Sequence, residues 1–122
     1  MPLLEIALLA AAMVGSPDPL SGAWTVDLST DPAKPYTKTM TLNLAADGSV
    51  TGTFYDSEIQ NGRWKTDRGR TCASFRTTDG VGPYHSSVCA RGDVAEGQTW
   101  AEHRKFLFNW NAVRTPLSRG SQ

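Results

Sequence analysis

The chain has 122 residues, enough for one domain with one modest core. Lys and Arg number 12 and so do Asp and Glu, so there is neither a basic field to draw nucleic acid nor an acidic tail. Aliphatic residues are few and Thr, Gly and Ser are common, which favours many short strands over helices and makes all-β the expected class.

Residues 1–16, MPLLEIALLAAAMVGS, are apolar from Pro2 to Val14 apart from Glu5. A transmembrane helix needs about 20 such residues, so the run is too short to span a bilayer. It reads as the apolar region of a secretory signal, with Ala10 and Ala12 at the small positions before a cut. The alternative is an N-terminal helix, docked or frayed, since no Lys or Arg precedes the run and Glu5 has the wrong charge. No lipobox cysteine is present, so the expected product is a soluble, secreted or periplasmic protein without an integral membrane segment in the mature chain.

The first strand is expected from Gly22 to Leu28, where Trp24, Val26 and Leu28 alternate with Ala23, Thr25 and Asp27. Asp-Pro and Lys-Pro between Ser29 and Pro35 impose a loop. The second strand, about Thr37 to Ala45, turns back at Ala46-Asp47-Gly48. A three-residue turn with a glycine bulge at Gly48 sets Leu44 against Val50, Leu42 against Gly52 and Met40 against Phe54. A two-residue turn would set the apolar faces against each other, so the bulged register is the expected one. Tyr55-Asp56-Ser57 leads to a strand near Ile59 to Thr66, and Asp67-Arg68-Gly69 to the next turn.

Thr71 to Arg91 then reads as a hairpin folded about Asp79-Gly80-Val81-Gly82. Thr78 faces Pro83, Arg76 faces His85, Ser74 faces Ser87 and Cys72 faces Cys89. The two cysteines meet with no adjustment of register, which predicts a disulfide and an oxidising compartment. Arg91-Gly92-Asp93 reverses the chain into Val94 to Ala101. The last strand is Phe106 to Val113, with Phe106, Phe108, Trp110 and Ala112 on one face. Eight strands joined by short turns predict a single antiparallel up-and-down barrel over residues 20–114, with a flattened, partly open barrel or a two-sheet sandwich as the alternative. Residues 115–122 read as a disordered tail.

Gly22-Ala23-Trp24 at the start of the first strand resembles the G-x-W of the calycins, the lipocalin and avidin group of barrels. There the tryptophan plugs one end of the barrel. The resemblance implies that role for Trp24, with Arg114 stacked on it. Asp47 to Phe54, DGSVTGTF, is similar to the second hairpin of streptavidin-like proteins. The avidin pattern has a short polar biotin-binding residue where this chain has Val26, which argues against biotin. Leu20 to Trp24 also resembles the Leu-Ser-Gly-x-Trp opening of bacterial periplasmic metalloprotease inhibitors, small barrels whose N-terminal segment enters the protease. The cysteines of that family are more widely spaced. Gly52 to Tyr55, Ile59, Gly62-Arg63, Thr66-Asp67, Gly69 and Asp79 to Ser87 look like a group of small bacterial proteins of unassigned function.

Arg76, His85, Ser74 and Ser87 share the polar face of the central hairpin. Arg76 and His85 are candidates for an anion or polar-ligand site, weighed against an ordinary solvated strand face. A Ser-His pair has no carboxylate placed by the sequence to orient His85, and His103 offers no metal-ligand spacing. Trp64, Trp100 and Trp110 are candidates for the wall of an open-ended pocket, or for core filling. The expected function is an exported, non-catalytic binding protein for a small ligand or a protein partner, without a cofactor or a metal. A protease inhibitor acting through its N-terminal segment is the alternative.

Overall fold

A computed structural model describes residues 18–116. The expected signal segment at residues 1–16, and the protease-inhibitor mechanism that depends on the N-terminus, lie outside the described residues. So does residues 117–122 of the expected tail. Thr115 is tied to the barrel: its N–H donates to the Ala23 carbonyl at 3.0 Å and its hydroxyl lies 2.9 Å from that of Thr25.

Nine strands form: β1 (Gly22–Asp27), β2 (Thr37–Leu44), β3 (Ser49–Phe54), β4 (Ser57–Glu58), β5 (Gln60–Asp67), β6 (Arg70–Thr78), β7 (Pro83–Arg91), β8 (Val94–Ala101) and β9 (Phe106–Arg114). Each long strand pairs antiparallel with its neighbours in sequence, and β1 also pairs with β9. The eight long strands therefore close an up-and-down barrel, which leaves no long unpaired edge. Among the described residues no helix is long and apolar enough to cross a membrane. Apolar side chains face the barrel interior, while Arg63, Lys65, Glu96, Gln98 and Asn109 face out, the reverse of the pattern in a lipid-spanning barrel.

Both sequence-derived hairpin registers occur in the structure. Leu44 pairs with Val50, Leu42 with Gly52 and Met40 with Phe54. Gly48 has φ 93°, the left-handed conformation that a glycine bulge requires. In the central hairpin Arg76 pairs with His85, and Cys72 pairs with Cys89 and is disulfide-bonded to it.

The extra strand, β4, was not expected. Tyr55 and Asp56 both adopt left-handed φ, 53° and 63°, so the chain makes a two-residue turn and folds Ser57 back against Phe54. A bulge between Gln60 and Arg63 then re-aims the chain into β5. As a result β3 meets β5 at only two residue pairs.

One end of the barrel is sealed. Trp24 is fully buried, and its indole N–H donates to the Leu20 carbonyl at 2.9 Å. The Arg114 guanidinium lies 4.4 Å from the centre of the Trp24 ring and donates to the Ser21 and Pro19 carbonyls. This is the plug expected of Trp24 and Arg114: a cation held over an aromatic face, with its own donors satisfied by the segment leading into β1.

Candidate functional site

The opposite end is open. Strand alternation lays the inward side chains of β6–β9 in rows across the sheet. The row at the mouth is Thr77, Tyr84, Ala101 and Phe106, and the next is Phe75, Ser86, Thr99 and Phe108. A third row, Ala73, Val88, Gly97 and Trp110, lies deeper. A Cβ on Gly97 would stand 2.3 Å from the Trp110 ring, so glycine there lets the indole lie across β8. Trp110 stacks on Phe54 with ring centres 5.2 Å apart, and Phe54 meets Phe75 edge-on at 5.6 Å. These rings form a floor. Above it Thr77, Ser86, Thr99 and Ala101 are too small to fill the barrel, and a cavity of about 540 Å³ opens between Phe54, Phe108, Tyr84, Thr77 and Thr99.

The rim is aromatic and hydrogen-bonded. Tyr36 and Tyr55 join through their hydroxyls and their rings meet edge-on. Lys38 Nζ lies 2.6 Å from an Asp56 carboxylate oxygen and 5.2 Å from the centre of the Tyr55 ring. The bond to Asp56 raises the Lys38 pKa above its ordinary value and so keeps it charged. On the other side, Tyr84 donates to Asp79 Oδ2 at 2.8 Å, and the Val81 and Gly82 amides donate to Oδ1 at 2.8 and 3.2 Å. These donors, Tyr84 first, hold the Asp79 carboxyl at about 2, so it is an anion throughout the neutral range. The His103 ring stands edge-on to Tyr84 at 5.1 Å. Arg104 also lines the mouth.

Inside, four polar side chains are buried: Thr71, Thr77, Ser86 and Thr99. Thr71 shares a hydrogen bond with Thr66 at 2.7 Å, and Ser86 shares one with Thr99 at 2.8 Å. Thr99 also accepts the Trp110 indole N–H at 2.9 Å. Thr77 is the exception, with no hydrogen bond to its hydroxyl among the described residues. No side-chain polar atom sealed from solvent lacks a partner, so the Thr77 hydroxyl opens into the cavity it lines.

The five side chains singled out from the sequence do not meet in one place: Arg76, His85 and Trp100 adjoin on the outer face, apart from Trp64 and Trp110. Trp110 is interior and lies under the cavity floor. Trp64 is half-buried towards the sealed end, its indole N–H donating to the Ala45 carbonyl at 2.7 Å. Trp100 is 40 % exposed on the outer face. A pocket walled by Trp64, Trp100 and Trp110 is therefore corrected to one walled mainly by Phe and Tyr. The physical reason is parity: on β8 the inward residues are Ala95, Gly97, Thr99 and Ala101, which turns Trp100 out. Arg76 and His85 also face out, because Phe75 and Ser86 beside them face in. Gln60, Arg76, His85, Trp100 and Leu107 form one external row.

Arg76 is held by Gln60 at 3.2 Å, and His85 Nε2 lies 3.3 Å from a Glu102 carboxylate oxygen. The sequence did not reveal that carboxylate, since it comes from the turn after β8. No serine hydroxyl bonds to His85 among the described residues, so the Ser-His arrangement is not assembled. Nor do three His, Cys, Asp or Glu side chains converge among those residues as a metal site would require. The mouth residues Tyr36, Tyr55, Thr77, Tyr84, Phe106 and Phe108 were missed as a group. The signal available for them was their shared position, since all stand where strands begin or end at one end of the meander. No protein-family model, curated protein or solved structure matches the chain.

Proposed function

We propose that the chain is a non-catalytic binding protein that holds a small, largely apolar ligand in the mouth cavity. One observation carries this reading: the barrel is packed solid at one end and left hollow, with aromatic walls, at the other. A volume of about 540 Å³ lies within the range of small-molecule pockets. Six of its lining residues are Phe or Tyr, which offer large contact area at little rotamer cost. Both carboxylates at the rim are already engaged, Asp79 by Tyr84 and the loop amides and Asp56 by Lys38, while Arg104 lines the mouth beside them. They therefore shape the mouth instead of carrying proton transfer. Export to an oxidising compartment is part of the proposal and is supported by the Cys72–Cys89 disulfide.

Titration with anilinonaphthalene sulfonate, an anionic dye whose aromatic body brightens when desolvated, tests the reading. One dye per chain should bind to the native protein. Ala101→Trp, which fills the mouth row, should abolish the signal, and Trp100→Ala on the outer face should leave it intact. Dye binding that survives Ala101→Trp and disappears in Trp100→Ala would move the site to the outer face and overturn the proposal.

A further inference from the structure

The cavity wall carries one feature that apolar filling alone does not account for. Thr77 is 3 % exposed as a residue, and its hydroxyl makes no hydrogen bond among the described residues. No side-chain polar atom sealed from solvent lacks a partner there, so that hydroxyl is reached through the cavity. Its three buried polar counterparts, Thr71, Ser86 and Thr99, are all hydrogen-bonded. A hydroxyl on the cavity wall is free to bond to whatever enters, where a valine of the same shape would offer no polar atom. The position is interior to β6, opposite Tyr84, whose own hydroxyl is turned away to Asp79. Tyr84 therefore does not satisfy Thr77 and leaves the hydroxyl facing the space between Phe54, Phe108 and Thr99.

We infer that the ligand is an aromatic or alicyclic molecule carrying a neutral hydrogen-bonding group, a hydroxyl or a carbonyl, which meets the Thr77 hydroxyl inside the cavity. This rests on the binding reading above and adds to it a residue that sets specificity. A hydroxyl both donates and accepts, so either an alcohol or a ketone completes the pair. A charged group does not suit the position, because no counter-ion lies beside Thr77 in the interior rows. The aromatic walls set the body of the ligand and Thr77 sets where its polar atom sits. A site built around a hydrogen bond rejects an analogue that lacks it more strongly than an apolar wall rejects a change of size.

The test uses naphthol and methylnaphthalene substituted at the same ring position, nearly identical in shape and different in the one polar atom. Both are titrated against the native chain, Thr77→Val and Thr77→Ser. Native protein should prefer naphthol by roughly three- to tenfold, the size of one neutral hydrogen bond in a buried site. Thr77→Val should lose the preference with methylnaphthalene binding unchanged or tighter, and Thr77→Ser should keep it. Thermal melts of each variant show whether the barrel is intact. Equal binding of the two compounds by the native chain, or a preference that persists in Thr77→Val, overturns the inference and leaves the cavity reading standing. If neither compound binds while the dye does, the inference alone falls. If the dye also fails to bind, both fall.

Discussion

At the sealed end of the barrel Trp24 is fully buried, its N–H bonded to Leu20, with Arg114 laid over its ring. At the mouth, Phe106 and Tyr55 are exposed and Thr77 lines an open cavity. The same eight strands run through both ends, with the same alternation, so strand geometry is not what separates them. Side-chain volume in successive rows is, together with what the connecting segments supply. Towards the plug, Trp24, Met40, Leu42 and Val26 fill the space to nothing. Towards the mouth, Thr, Ser and Ala leave it empty. The plug end is packed and hydrogen-bonded, and the open space lies at the mouth.

That contrast can be broken at several points. Trp24→Ala should cost about 3–5 kcal/mol, as for other buried tryptophans, and would lower the thermal midpoint more than any substitution at the mouth. Phe108→Ala, on a ring with the cavity on one side, should cost only about 1–2 kcal/mol, because less of its surface leaves water on folding. Equal losses at the two sites would mean that the mouth is as tightly filled as the plug.

The disulfide comes next. Cys72 and Cys89 are 17 residues apart, and closing a loop of that order contributes roughly 3 kcal/mol in the chain-entropy account. Replacing both by serine should lower the urea midpoint accordingly, and the native chain should gain the mass of two hydrogen atoms on reduction. Free thiols in the natively produced protein would remove the support for export.

Two of the interior threonines, Thr77 and Thr99, sharpen the comparison further. Thr99→Val strips the acceptor from the Trp110 indole and a partner from Ser86, and should destabilise by about 1–3 kcal/mol. Thr77→Val removes a hydroxyl that makes no hydrogen bond among the described residues. It should leave stability unchanged or raise it by up to about 1 kcal/mol. Chemical denaturation of the pair separates these outcomes, and a comparable loss at Thr77 would show that its hydroxyl has a protein partner.

The smallest effect is expected at the rim. Because the folded-state pKa of Asp79 is depressed to about 2 from 3.8, the stability it contributes is complete above the ordinary value and is lost as pH falls through about 2. The Tyr84 ring resonances should therefore follow the Asp79 titration, centred near pH 2 in the native chain, and stay still over that range in Asp79→Asn. A Tyr84 signal with the same pH course in both proteins would detach the phenol from Asp79.

Much of this architecture was legible in the residues. The Thr71 to Arg91 hairpin has glycines at its turn, a clean alternation and a cysteine pair that agrees with both, so three independent constraints select one register. The Gly48 bulge was legible because only one register places Met40, Leu42 and Leu44 beside Phe54, Gly52 and Val50. Trp24 and Arg114 were legible from the G-x-W opening. The cavity was not, because its space comes from small residues on different strands. An inward face of Ala95, Gly97, Thr99 and Ala101 carries no hydrophobic signal, while Trp100 on the other face of β8 does. Bulk therefore pointed to the wrong side of the strand. The β4 turn was hidden for a different reason: Tyr55 and Asp56 hold left-handed conformations that glycine or asparagine would normally announce.

Amide and side-chain NMR of the full chain during titration with naphthol tests most directly whether the hollow end is the binding end. The largest shifts should fall on Phe54, Thr77, Tyr84, Thr99 and Phe108, with Trp24 at the plug and Arg76, His85 and Trp100 on the outer row unmoved. Shifts concentrated on the outer row, with Thr77 and Phe108 silent, would contradict the account.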